Sequence, residues 1–390
     1  MTPSALAKEL FNNYEHFRVD EITPSNCKHE AVIPEFRRIT GLSKGRLHME
    51  EIGTSLEGRS IHLLSCGKGE KTVLLWSQMH GDEPTATLAL LDLFKHMATE
   101  SLSPEISGLL DETRIYAVPM LNPDGAERIQ RRTACNIDMN RDALALVTPE
   151  ANILRSLQRK LKPRFGFNLH DQELSSVGST REVTAIALLA PALDEKKTTP
   201  LVRIRAMRVA AFIARTLAHF IPHNIARYND TYEPRAFGDR MQSWGTSTVL
   251  IESGHWPADP GKSFVRKLNY VGILSSLCGI ATGAYQDVDL DHYHDLPENG
   301  KRIFDIIIKD VVIEHPNGAQ HGIDIGLTRS PSLNNHTHVT IKDIGDLSTM
   351  SSLEVIDGGL RKSSVDYLKL DATYTLEGLL DTLQLYYPRP

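Results

Sequence analysis

Apolar and polar positions follow two rhythms along this chain. From Arg46 to Cys66 they alternate around turn signals, the period of half-buried strands, and predict two or three of them. Lys71–Met79 is then a continuous apolar and β-branched run, the pattern of a strand buried on both faces, and Pro84 stands where a first helical turn tolerates proline. Beyond it strand and helix patterns alternate. Strands are predicted at 114–120, 165–169 and 247–253, and helices after Glu83 and at 149–161, 202–221 and 262–283. Such alternation builds an α/β domain on a mostly parallel sheet, and ligands of such sheets collect at the carboxyl ends of the strands.

The rhythm changes at both ends. Residues 1–50 read as a helical lead-in, 51–285 as the main α/β domain, and the acidic, Pro/Gly-bounded stretch 286–302 as a linker. From 303 to 390 β-branched runs flank an Asn317-Gly318 pair, which signals a tight hairpin, so a small β-rich accessory domain is expected there. Neither an internal repeat nor a low-complexity tract stands out.

Composition narrows the class. In 390 residues, 41% are apolar and 24% charged, with a formal net charge of −6 that leaves no basic footprint for nucleic acid or an anionic membrane. The apolar stretches 209–221 and 270–285 are too short or too charged to span a bilayer and read as buried helices. The amino terminus lacks the pattern of a secretory signal. Cys27, Cys66, Cys135 and Cys278 lie too far apart for a clustered zinc site and suggest reduced thiols, so a cytoplasmic location is expected.

Candidate chemistry gathers at the predicted strand ends. His80 and Glu83 leave the 71–79 strand together, and an imidazole and a carboxylate three residues apart can share one Zn²⁺. His170 closes the 165–169 strand and offers the third ligand that leaves a fourth position open. Glu252, at the end of the 247–253 strand, is a carboxylate placed to act as general base and then acid. Between them a turn-rich loop carries Arg128, Arg131, Arg132, Asn140 and Arg141, suited to a carboxylate because the guanidinium fork binds it bidentately.

Taken in order, HGDE, NPDG, NIDMNRD, a strand-end LHD and a strand-end IESG resemble the zinc carboxypeptidase family related to carboxypeptidase A, and GTSLEGRSI resembles its early segment. The resemblance implies an α/β/α sandwich on a mixed, mostly parallel eight-stranded sheet. It also implies one Zn²⁺ per chain on His80, Glu83 and His170, and cleavage of a C-terminal peptide-like amide by metal-activated water with Glu252 as base and acid. Arg131 would polarise the scissile carbonyl, while Asn140 and Arg141 would hold the terminal carboxylate. The family's mobile tyrosine has two candidates, Tyr228 and Tyr232, of which the spacing to Glu252 favours Tyr232; Arg235 offers a further carboxylate contact. Thr133, Cys135 and Asn136 depart from the usual loop. The expected partner is a peptide or N-acyl amino acid with a free carboxylate, because an N-acyl amino acid amidohydrolase resembling succinylglutamate desuccinylase or aspartoacylase is the alternative.

Overall fold

The computed structural model describes residues 2–314, 317–333, 336–359, 362–364, 368–383 and 385. They form two units, one of residues 1–173 and 184–299 and the other of residues 174–183 and 300–390. Strands run β1 (Leu47–Thr54), β2 (Ser60–Cys66), β3 (Lys71–Ser77), β4 (Thr113–Val118), β5 (Phe165–Asp171), β6 (Ser176–Val177, in the second unit), β7 (Ile186–Leu189), β8 (Ile225–Arg227) and β9 (Ser247–Ser253). Helices are α1 (Pro3–Asn13), α2 (His29–Leu42), α3 (Thr85–Ala98), α4 (Pro104–Glu112), α5 (Pro123–Arg128), α6 (Pro149–Leu161), α7 (Leu201–Leu217), α8 (Phe237–Ser243), α9 (Ser263–Thr282) and α10 (Asp291–His294).

The first unit carries an eight-stranded mixed sheet in the order β1-β2-β4-β3-β5-β9-β7-β8. The central run β4-β3-β5-β9 is parallel throughout, while β1, β2 and the β7/β9 pair are antiparallel. Two cores sandwich it. Val73, Leu75, Phe167, Leu169 and Ile251 face the larger core with α3, α7 and α9, whereas Leu74 and Trp76 face the smaller one with α6 and α8. Alternate residues of β3 therefore bury on opposite faces, which is why its sequence is continuously apolar.

Residues set apart by sequence join this unit. α1 and α2 send Leu6, Leu10, Val32 and Phe36 into the larger core, because their amphipathic faces have no other cover. The segment 286–302, expected as a linker, also folds back up to Asn299: Val288 and Tyr293 are buried, and the Tyr293 hydroxyl accepts a hydrogen bond from the Ala190 amide at 2.9 Å. In the second unit Ile303–Glu314 pairs antiparallel with Gln320–Leu333, and Ser351–Asp357 runs parallel to the first of these. Gly318 turns the hairpin with φ +81°, the left-handed conformation that glycine adopts without strain. Among the described residues no helix is long and apolar enough to cross a membrane.

One buried histidine gives the larger core a pH signature. His96 stacks on Phe17 at 3.7 Å, hydrogen-bonds the Tyr270 hydroxyl at 2.7 Å, and burial pushes its pKa down to about 4. The folded state thus binds this proton less readily than the unfolded chain does. Its contribution is complete above pH ~6.5 and is lost as pH falls from there toward 4, by about 1.4 kcal/mol per pH unit. Urea midpoints between pH 7 and 4.5 should fall more steeply for the wild type than for a His96→Phe variant; equal slopes would remove His96 as the cause.

Candidate metal centre

The turn that carries His80 is braced from three directions. After β3 the chain enters a left-handed conformation at Gln78 (φ +49°), whose side-chain amide donates to the Cys27 and Gly81 carbonyls at 3.2 and 3.0 Å. A Cβ on Gly81 would lie 1.9 Å from the Gly125 carbonyl carbon, so only glycine lets the HGDE turn rest on the NPDG segment. Asn122 of that segment donates to the Met79 carbonyl at 3.2 Å and caps α5 through the Gly125 amide at 2.9 Å. Asp124 in turn accepts from the Ser55 hydroxyl and the Arg59 guanidinium at 2.7 and 2.8 Å, which gives GTSLEGRSI its structural part.

His80, Glu83 and His170 come together as a buried triangle whose ligand atoms all lie within 4.8 Å of one another. His80 Nδ1 is 2.7 Å from Glu83 Oε1, and His170 Nδ1 is 2.8 Å from Glu83 Oε2. The two Nδ1 atoms are themselves 3.2 Å apart. Two ring nitrogens and a carboxylate converging on one point, without room for each to keep its own proton, fit a divalent cation with mixed N/O ligands. Asp138 accepts from His80 Nε2 at 3.1 Å, which fixes the tautomer and leaves the Nδ1 lone pair facing the centre. Burial pushes the Glu83 carboxyl up, but His170 and His80 outweigh it and hold it well below the usual carboxylate range.

Glu252 lies directly opposite His170 in the β5/β9 register, so both side chains point to one face of the sheet. It is buried, and the loss of hydration together with the charges of Glu83 and Asp171 raises its pKa well above that of an ordinary carboxylate. Asp171 is held away by Thr85 Oγ1 at 2.6 Å and Lys262 Nζ at 3.2 Å. The two acids at this strand end are thereby distinguished: one is ion-paired, while no hydrogen bond reaches the other's carboxylate among the described residues.

The arginine loop supplies positive charge beside the triangle. Arg131 Nη1 is 3.2 Å from Glu83 Oε1 and 3.1 Å from His80 Nδ1, and its Nη2 donates to Asp138 Oδ2 at 3.1 Å. Asn140 accepts from the Phe237 amide at 2.9 Å through Oδ1, which fixes its side chain and leaves Nδ2 as a donor. Arg141 Nε lies 3.5 Å from the Glu233 carboxylate, which Arg235 also clasps at 2.7 Å. Arg235 is therefore occupied with its neighbour two residues away.

Of the two tyrosines, Tyr228 is the one that senses the centre. The charge of Glu252, then burial, then the charge of Glu83 push its hydroxyl up to about 12. Tyr232, which spacing favours, lies further along the irregular segment toward α8. The difference arises because Tyr228 leaves β8 with its amide on the Leu188 carbonyl at 2.9 Å, next to the strand that pairs with β9. Sequence reasoning also passed over Asp138 and Lys262. Asp138 sits within the quoted NIDMNRD, where its separation from Asn140 and Arg141 was the available signal; Lys262 lies in a left-handed cap that no pattern marks.

Comparison with known proteins agrees with this geometry. The zinc carboxypeptidase family model matches residues 36–173, a span that includes His80, Glu83, Arg131, Asn140, Arg141 and His170. Carboxypeptidase M of Mus musculus is 33% identical over 112 residues, 24% of this chain and 25% of that protein. Carboxypeptidase D of Homo sapiens is 27% identical over 147 residues, 32% of this chain and 11% of that protein. The chain thus spans a quarter or less of the length of these relatives. Among solved structures, a metallo-carboxypeptidase from Burkholderia cenocepacia superposes with a TM-score of 0.53 at 18% identity, covering 65% of this chain and 69% of the other. Bovine thrombin-activatable fibrinolysis inhibitor gives 0.53 at 14% identity, covering 67% and 98%. These likenesses extend the shared fold beyond the matched segment. Over residues 36–173 this chain matches the zinc carboxypeptidase family, and its sheet order and buried His-Glu-His triangle fit that likeness.

Proposed function

We propose that this chain hydrolyses the amide bond adjacent to a free terminal carboxylate. The observation that carries this reading is the His80–Glu83–His170 triangle with Glu252 opposite His170 on one sheet face. Zn²⁺ held by the triangle would supply a Lewis acid that polarises the scissile carbonyl and acidifies the attacking water. Glu252 takes a proton from that water and delivers it to the leaving amine, a part suited to a carboxyl whose pKa is raised. Arg131 holds a fixed positive charge where the carbonyl oxygen becomes negative, so its stabilisation costs no reorganisation. Arg141 and the free Nδ2 of Asn140 hold the substrate's terminal carboxylate; Arg141 already faces one in Glu233. Tyr228, whose hydroxyl feels the charge of Glu252, donates a hydrogen bond to the substrate.

Purified protein should carry about one zinc per chain, and His170→Gln should bring metal content close to zero. Acyl-dipeptides with a free carboxyl terminus should be cleaved and their terminal amides spared. Equal turnover of both would refute the carboxypeptidase reading. Turnover of N-acyl amino acids alone would replace it with the amidohydrolase reading.

A further inference from the structure

The opposite end of the same sheet carries a second, unassigned feature. His170 and Glu252 lie at the carboxyl ends of β5 and β9, roughly 20 Å along the strands from where these begin. There, Arg155, Gln158, Arg159, Lys162, Trp244 and Gly245 line a groove of about 470 Å³, within the size range of small-molecule sites. Arg155, Arg159 and Lys162 stand four, then three residues apart on α6 and its cap, so they share one face.

One of these cations is held in place. The Arg155 guanidinium lies 3.7 Å over the Trp244 indole and donates to Gln158 Oε1 at 2.6 Å, while Gln158 Nε2 donates to the Trp244 carbonyl at 3.2 Å. Arg240 of α8 approaches the same indole at 5.5 Å. Burial and then the charges of Arg159 and Arg240 pull the Arg155 pKa down. Among the described residues no carboxylate pairs with Arg155, Arg159, Lys162 or Arg240, in a chain whose net charge is −6. Three cations lining one groove, with Arg240 on the same indole as Arg155, repel one another, and in water this arrangement would cost less with a multivalent anion among them.

We propose that this groove binds a small molecule bearing two or more phosphoryl groups. Phosphate fits the fixed fork of Arg155 and the point charge of Lys162, and at least two negative charges are needed to balance the groove. Arg155 already covers the indole, so recognition is by charge and hydrogen bonding rather than by stacking of a base.

Inorganic pyrophosphate is the probe, titrated calorimetrically into zinc-loaded and zinc-free protein at constant ionic strength, with citrate and sulfate as controls. One pyrophosphate per chain should bind both forms alike, at least tenfold more tightly than citrate or sulfate. Arg159→Gln, an exposed change that keeps the fold, should weaken it about tenfold, and Arg155→Gln/Lys162→Gln should abolish saturation while leaving zinc content and peptide hydrolysis unchanged. Binding that requires zinc, that sulfate matches, that survives both variants, or that does not saturate overturns the proposal. None of these results bears on the carboxypeptidase reading, which is tested at the other end of the sheet.

Discussion

Glu252→Gln protein should bind about one zinc per chain as the wild type does and cleave acyl-dipeptides about 10³-fold more slowly, within the 10²–10⁴ range of general acid–base catalysis. That is a barrier raised by about 4 kcal/mol. The substitution is nearly isosteric, and among the described residues Glu252 makes no ion pair whose loss would unfold the strand end; Asp171 and Lys262 hold each other there instead. Metal content should stay because Glu252 is outside the ligand triangle. A glutamine cannot accept the proton from water, so kcat should fall while KM moves little. Glu252→Asp, which keeps the base but draws it back by one methylene, should fall between the two. Equal rates in wild type and Glu252→Gln would mean that another group moves the proton, and would remove the mechanism proposed for this site.

What could be read in the sequence follows from burial. β3, β4, β5 and β9 lie in the interior of the sheet and are covered on both faces, so each shows an apolar run long enough to recognise. β7 and β8, only four and three residues long, are too short to generate a period, and the eight-stranded sheet was expected from family resemblance rather than from pattern. The three residues of the candidate metal triangle were legible because all three stand at or just past strand ends that the pattern located. Tyr228 was not. Counting residues back from Glu252 assumes a loop path, and the path is set by β8 pairing with β7, which no local signal reveals. The lead-in and the segment before Asn299 were set apart because their polar faces dominate the composition, while the apolar stripes that dock them are sparse. Asp138 had a visible motif but an invisible role: its contact with His80 Nε2 spans 58 residues and depends on how the arginine loop folds back.

Replacing Arg266 by Met should destabilise the protein by about 3–5 kcal/mol, the cost of leaving one partner of a buried ion pair alone. Arg266 on α9 and Asp92 on α3 are both buried, with Nε 2.7 Å from Oδ2. The same guanidinium donates to the Val19 and Ile22 carbonyls at 2.8 and 3.3 Å, and Asp92 also accepts from the Tyr14 hydroxyl and the Val19 amide at 2.8 and 2.9 Å. Without Arg266 the carboxylate loses its only ion-pair partner among the described residues, and the chain between α1 and α2 loses two of its anchors. Burial already pushes the Asp92 pKa up, so the variant should recover by taking up a proton. A group with a raised folded pKa gains stability as pH falls, and the deficit measured by urea unfolding should therefore shrink from pH 7 to pH 5. Asp92→Leu in the Arg266→Met background should restore much of the loss, since no charge is then left unpaired. A single variant within 1 kcal/mol of the wild type at pH 7 would show that the pair contributes little. The consequence reaches the metal centre: the chain anchored by this pair runs on to Cys27, whose carbonyl holds Gln78 just ahead of His80. Arg266→Met should therefore lose zinc faster than wild type in a chelator chase while still folded, although Arg266 is not among the ligands.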